Sequence, residues 1–206
     1  MTVLKTPVYG VMEANCYFYV DDDTGHCLII DPGAEGGRLL TVADQNGWTI
    51  EKILLTHGHF DHIGGIGEIR QRADVPVYIH EAGQRYLADP RLNLSRACPP
   101  LLTVTGARSF ADGQVFDLAG RPVLRAIHTP GHTPDSVIFY DQANGLALTG
   151  DTIFKAGWGN TAFPGGDAEE LMRSIKERVL TLPDDTKLYS GHSDMTTVGA
   201  EKRWYR

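Results

Sequence analysis

The segment Thr56-His57-Gly58-His59-Phe60-Asp61-His62 constrains this chain more than any other. It directly follows the apolar run Lys52-Ile53-Leu54-Leu55, so four potential metal ligands fall just past the end of a candidate strand. Side chains two apart in an extended segment point the same way, which lets His57 and His59 meet one cation. Asp61 and His62 lie where the chain turns toward the next helix and can meet a neighbouring cation. With no cation, so many polar groups would be stranded at the edge of a core. A lone histidine is usually a surface or core residue; four such groups in one loop read as a metal site.

Two ions need more ligands than one loop supplies, and the chain offers three, each after a strand-like run. His132 stands in Thr129-Pro130-Gly131-His132-Thr133 after the run 123–127. Asp151 stands in Thr149-Gly150-Asp151-Thr152 after 146–148, and His192 in Ser190-Gly191-His192-Ser193 after 187–189. A glycine precedes each ligand, which lets the backbone approach closely.

Other short β-type runs are 15–20, 27–30, 52–55, 75–79 and 137–140, rich in Val, Ile, Leu, Tyr or Phe and flanked by Gly, Pro or Asp. Asp21-Asp22-Asp23-Thr24-Gly25 reads as the turn of a hairpin between the first two. Helical patterns alternate with the strands. Residues 35–46 carry Leu39, Leu40 and Ala43, with Gly47 as a stop. Residues 63–73 place Ile63, Ile66 and Ile69 at spacings of three. Residues 167–180 have Asp167 as N-cap, Glu170 three residues later, and Leu171, Ile175 and Val179 on one face. The order predicts a layered α/β protein. Residues 88–113 are weakly patterned and read as a long loop or lid.

A length of 206 residues suits one domain with a sizeable core, and no break in composition marks a second. The net charge of -7, with no clustered cations, disfavours a nucleic-acid partner. No apolar stretch approaches the roughly 20 residues needed to span a bilayer, and the N-terminus has no signal-peptide core. A cytoplasmic location and no membrane partner follow as defaults; the oligomeric state is not readable. Cys16, Cys27 and Cys98 are odd in number and widely spaced, with no CxxC pair, and read as buried or idle thiols.

The ligand set HxHxDH, GH, GD and GH, in this order, resembles that of the metallo-β-lactamase superfamily, and within it the small glyoxalase II-like (hydroxyacylglutathione hydrolase-like) branch. The likeness extends through Asn15-Cys16-Tyr17, Asp31-Pro32-Gly33 and Phe163-Pro164-Gly165-Gly166-Asp167. It implies an αββα sandwich with the metals at one edge between two sheets. It implies one metal held by His57, His59 and His132, a second held by Asp61, His62 and His192, and Asp151 bridging both. Imidazoles and carboxylates suit two divalent ions, zinc first, with iron or manganese also accommodated. His128, four residues before His132, is expected to support the ligands from behind. His26 reads as a solvated turn residue and His80 as structural.

The reaction implied is hydrolysis of a small-molecule thioester. A metal-bridging hydroxide attacks the carbonyl and Asp61 orients it, with no covalent acyl-enzyme. Lactonase chemistry and a persulfide dioxygenase around a single iron are the enzymatic alternatives. A metal-bearing module without activity is the third, disfavoured because none of the seven ligands is missing. Asp151, which the β-lactamases of the superfamily lack at this position, argues against β-lactam hydrolysis. The sequence departs from the branch after Asp151, where Gly157-Trp158-Gly159-Asn160-Thr161-Ala162 replaces an Arg or a Ser-Asp pair. Trp158 and Asn160 are therefore candidates for an altered substrate pocket, a differently packed loop being the alternative. The chain is expected to be a single domain over 1–206. It ends fourteen residues past His192, so it is expected to lack the helical C-terminal domain that holds glutathione in full-length relatives, and Lys202, Arg203 and Arg206 read as solvated charges.

Overall fold

The computed structural model describes residues 1–205; Arg206 lies outside the described residues. Two six-stranded sheets stack face to face. The first runs β1 (Thr2–Tyr9), β2 (Glu13–Val20), β3 (His26–Ile30), β4 (Thr49–Leu54), β5 (Val77–His80) and β6 (Arg108–Phe110) in spatial order. Its first three strands are antiparallel and its last four parallel. The second holds β7 (Val115–Leu118), β8 (Arg121–His128), β9 (Val137–Asp141), β10 (Leu146–Gly150), β11 (Lys187–Ser190) and β12 (Thr196–Thr197), again in sequence order across the sheet.

Strand periodicity explains the layers. In β3, Cys27 and Ile29 enter one apolar cluster while Leu28 and Ile30 enter another. In β9, Val137 and Phe139 face inward and Ile138 outward. Both faces of these strands are therefore buried: the inner cluster lies between the sheets, and helices cover the outer faces. Helix α1 (Gly36–Asn46) lays Leu39, Leu40 and Ala43 on the first sheet and ends at Gly47 in the left-handed region, φ 68°. On the second sheet α5 (Ala168–Ser174) contributes Leu171 and runs on as a wider turn through Ile175–Val179. Asp167 caps α5, accepting from the Glu170 amide at 2.9 Å. The αββα expectation holds.

The differences are local. The N-terminal edge strand β1 was not expected; Pro7 sits in it without breaking the ladder because an edge strand has one unpaired side. The expected helix 63–73 is instead α2 (Phe60–Ile63) and α3 (Ile66–Arg70), broken at Gly64 and Gly65. A Cβ on Gly64 would collide with the Gly33 carbonyl oxygen, and the Gly65 amide donates to Pro32 at 2.8 Å. Packing against the 31–34 loop thus overrides the helical period. Residues 88–113 contain the end of α4 (Gln84–Ala88) and strand β6; between them, Asn93 pins the loop by donating to the Leu102 carbonyl at 2.9 Å and accepting from the Phe60 amide at 2.9 Å. His26 opens β3 rather than standing free in a turn, its Nδ1 2.6 Å from Glu51 Oε1.

Candidate metal centre

Four strand ends open at one edge of the sandwich. The loop after β4 carries His57, His59 and Asp61; those after β8, β10 and β11 carry His132, Asp151 and His192. Backbone bonds across the sheets hold them in register: Val137 to the Thr56 carbonyl at 2.9 Å, Gly191 to Gly150 at 2.8 Å and Asn15 to Gly191 at 2.7 Å. Gly150 adopts φ 48°, and a side chain there would strike Thr56. A Cβ on Gly191 would strike Asp151 and crowd His62. Only glycine lets these strand ends close in this way.

The structure brings together all seven residues singled out as ligands, in two groups. His57 Nε2, His59 Nδ1 and His132 Nε2 lie 3.0 to 3.3 Å from one another. In the second group His192 Nε2 is 3.1 Å from Asp61 Oδ2 and 3.4 Å from His62 Nε2. Asp151 stands between them, its carboxylate 3.6 Å from His132, 3.5 Å from His62 and 3.4 Å from His192. All but His192 are buried.

The proton arrangement shows what such a cluster requires. His132 Nδ1 donates to the Asn160 carbonyl at 2.7 Å and His192 Nδ1 to the Glu13 carbonyl at 2.8 Å; a carbonyl can only accept. His62 Nδ1 donates to Asp31 Oδ2 at 3.0 Å. The Thr56 hydroxyl gives its proton to the same oxygen at 2.6 Å, so it accepts from His57 Nδ1 at 3.1 Å. The inward Nε2 atoms of His57 and His132 are then bare lone pairs facing each other at 3.3 Å. Bonds of about 2.0–2.1 Å to a tetrahedral ion would space such nitrogens about 3.3 Å apart. The three-histidine group fits that spacing, and the buried, unpartnered Asp151 Oδ1 fits a further bond to a cation.

The two groups differ in charge. Burial, with the neighbouring rings, holds His57 well below the usual imidazole range and His59 at about 3. Burial would also lower His62, but Asp61, Asp151 and Asp31 outweigh it and raise it to about 9; Asp151 and Asp61 likewise raise His192 to about 11. Asp151 is held well below the carboxylate range because His62 and His192 outweigh its burial.

Sequence reasoning missed the residues behind the ligands. Asp31 and Thr56 orient one histidine in each group, and the Asp31-Pro32-Gly33 tripeptide was the available signal. His128 does not bond any of the seven. Its ring stacks on His80 at 4.1 Å and donates to the Pro134 carbonyl at 2.8 Å, so it steadies the loop that carries His132. His59, Asp61, His132, Asp151 and His192 floor a cavity of about 370 Å3 walled by Met12, Phe60, Leu94, Phe154 and Phe163. Asn160 lines it; Trp158 does not, packing instead on Tyr205 at 5.9 Å. Cys98, read from the sequence as a buried or idle thiol, is half-buried in the cavity wall. Lys202 pairs with Asp184, and Arg203 lies over the Trp204 ring. No helix among the described residues is long and apolar enough to cross a membrane.

A profile of the metallo-β-lactamase superfamily matches residues 9–192. The probable metallo-hydrolase YqgX of Bacillus subtilis (strain 168) is 41% identical over 96% of this chain and 93% of its own length. The hydroxyacylglutathione hydrolase GloC of Haemophilus influenzae (strain ATCC 51907 / DSM 11121 / KW20 / Rd) is 34% identical over 98% and 96%. Among solved structures, BLEG-1 B3 metallo-β-lactamase superposes with a TM-score of 0.91 at 34% identity, covering 98% of this chain and 97% of its own. TTHA1623 in a di-iron-bound form superposes with a TM-score of 0.86 at 32% identity, covering 96% and 97%.

Proposed function

Since the chain belongs to the metallo-β-lactamase superfamily of metal-dependent hydrolases, we propose that it is a binuclear thioester hydrolase of the hydroxyacylglutathione hydrolase-like kind. The observation that carries this reading is the complete pair of donor groups, joined by Asp151, with members of both groups opening on one cavity. The likeness to GloC supports the thioester class. His57, His59 and His132 would hold one divalent ion and Asp61, His62 and His192 the other, with Asp151 shared. Zinc is the first choice for this nitrogen and oxygen set; iron is the rival, since TTHA1623 was solved with two irons. Bound there, the ions supply Lewis acidity toward a carbonyl and a water acidic enough to attack near neutral pH.

The chain's own residues do the rest. Asp61 lines the cavity, and its carboxylate accepts a hydrogen bond from the attacking water and holds it toward the carbonyl. Asp31, Thr56 and the Asn160 and Glu13 carbonyls lock the imidazoles with lone pairs inward, so no ring must reorient during turnover. Phe60, Phe154 and Phe163 keep bulk water from the acyl carbon, which strengthens every electrostatic contact within. Water adds to the acyl carbon, the carbon–sulfur bond breaks, and the thiol leaves with a proton; no side chain need become acylated.

One observation favours a second reading: BLEG-1, a B3 metallo-β-lactamase, shares the fold over nearly its whole length. The resemblance to the glyoxalase II-like branch, which places an aspartate at Asp151, weighs against β-lactam hydrolysis as the main activity, and the likeness to GloC supports the thioester class instead. The test is elemental analysis of the purified protein followed by rates with S-lactoylglutathione, a simple S-acyl thioester, a lactone, a β-lactam and glutathione persulfide. Thioester cleavage faster than every rival, with close to two metals per chain, is the expected result. Faster β-lactam or lactone opening, or oxygen uptake with the persulfide, overturns the thioester reading.

A further inference from the structure

The surroundings of the donor cluster are unlike on its two sides. Beyond His192 lies a polar groove with Lys5, Glu13, Asn15 and Asp194. On the His59 side the cavity walls are apolar, and no lysine or arginine among the described residues lines them. The space does not end at the metal cavity. A second hollow of about 140 Å3 shares Phe60 and Cys98 with it and runs between the tip of the β1–β2 hairpin and Pro100 and Leu102; Val11, Phe60, Pro100 and Leu102 give it an apolar side, and Glu35 and Glu68 stand on its opposite wall. Val11 and Leu101 stand 63% and 67% exposed, apolar side chains that this hairpin tip and the 88–107 loop hold in water.

Leu94 supplies an independent observation. It lines the metal cavity with its backbone at φ 69°, a left-handed conformation that suits glycine and strains leucine. The fold enforces it: the Ser95 amide donates to Asn93 Oδ1 at 3.0 Å, and Asn93 is tied to Leu102 and Phe60. A strained apolar side chain held at a cavity wall is a sign that the wall serves a ligand.

From this asymmetry we infer that the apolar channel from His59 past Phe60 and Cys98 seats an unbranched apolar acyl arm of the substrate, while the polar thiol arm lies on the His192 side. The inference rests on the thioester reading and narrows it to medium- and long-chain acyl thioesters. An anionic acyl group would find no cation in this channel and would lose its hydration on entering.

The test uses the full-length, metal-loaded protein and S-acyl-N-acetylcysteamine thioesters from acetyl to decanoyl. Each methylene that enters the channel should raise kcat/KM up to about fourfold, the factor that follows from about 0.8 kcal/mol per buried CH2. The gain should level off when the channel is full. Leu94→Gly should flatten the gradient while the melting temperature holds, since glycine accepts the backbone that leucine endures. Ala97→Asp, at an exposed wall position, should flatten it by placing a charge beside the arm. Calorimetry with the matching ketones, in which a methylene replaces the thioester sulfur, reads the channel apart from turnover. Esters cleaved at rates that do not grow with acyl length, or ketones whose affinity does not, overturn the inference and leave the thioester reading standing. A gradient seen only when the thiol arm is lengthened overturns it too. Ketone affinity that climbs with chain length, when no ester is cleaved, upholds the channel and removes the thioester reading.

Discussion

Replacing Asp31 by Asn tests whether a residue that touches no metal decides metal binding. One oxygen, Asp31 Oδ2, receives both the Thr56 hydroxyl at 2.6 Å and His62 Nδ1 at 3.0 Å, while Oδ1 receives the Thr56 amide at 2.8 Å. Asparagine is nearly isosteric and tolerates the left-handed backbone found here, φ 53°, so the fold should survive. Its Oδ1 still accepts from the Thr56 amide. Its Nδ2, standing where Oδ2 stood, can only donate. His62 must then lose its partner or move its proton to Nε2, the atom that faces the donor group. The Thr56 hydroxyl must turn, and His57 Nδ1 loses the lone pair it donated to. One histidine in each group is disturbed by a single atom change. Loss of such an outer partner costs about 10- to 100-fold in metal affinity, or about 1.4–2.7 kcal/mol per site. The donors left unpaired should lower the stability of the metal-free protein by about 1–3 kcal/mol. Competition against a chelator of known affinity, followed by elemental analysis, measures the first quantity; urea unfolding measures the second. A folded Asp31→Asn protein that keeps both metals at wild-type affinity would refute the orienting role.

Three further outcomes are expected. In the metal-free protein at neutral pH, the carboxylates around His62 and His192 should keep those rings protonated, and burial should keep His57 and His59 neutral. Loading the Asp61, His62 and His192 group should therefore release about two protons and strengthen up to about a hundredfold per pH unit below about 9, while loading the three-histidine group should release almost none; titration calorimetry in buffers of different ionisation heat reads this, and equal release at both steps contradicts it. Asp135 is wholly buried with neither carboxylate oxygen partnered, and burial pushes it up to about 6 from 3.8, so its native state favours the proton and stability falls as pH rises from about 4 to 6; Asp135→Asn should add up to about 3 kcal/mol at pH 7 and nothing near pH 4, and a pH-independent difference in urea midpoints would show otherwise. Asp151→Ala should drop metal content well below two per chain and activity by orders of magnitude, while Trp158→Ala, whose ring packs on Tyr205 outside the cavity, should change kcat/KM little.

The chemistry-bearing residues were legible in the sequence because they are local: HxHxDH occupies one loop, and each remaining ligand follows a glycine at the end of an apolar run. Strand alternation and capping made the two-sheet layering readable for the same reason, since period and turn chemistry act over a few residues. What escaped was decided by groups distant along the chain. Gly64 and Gly65 break a helix because the loop at 31–34 presses against them. His26 is held by Glu51 on the neighbouring strand β4, and His128 turns from the metal cluster toward His80. Trp158 and Asn160 are two residues apart in one altered loop, yet one packs on the C-terminal segment and the other faces the cavity. Asp31 lies 25 residues before Thr56 and 31 before His62, and its role exists only once β3 and β4 lie side by side in the sheet. Residue type and spacing report which groups can hold a cation; which nitrogen of each ring points inward depends on the acceptor behind it, and that acceptor is supplied by the folded chain.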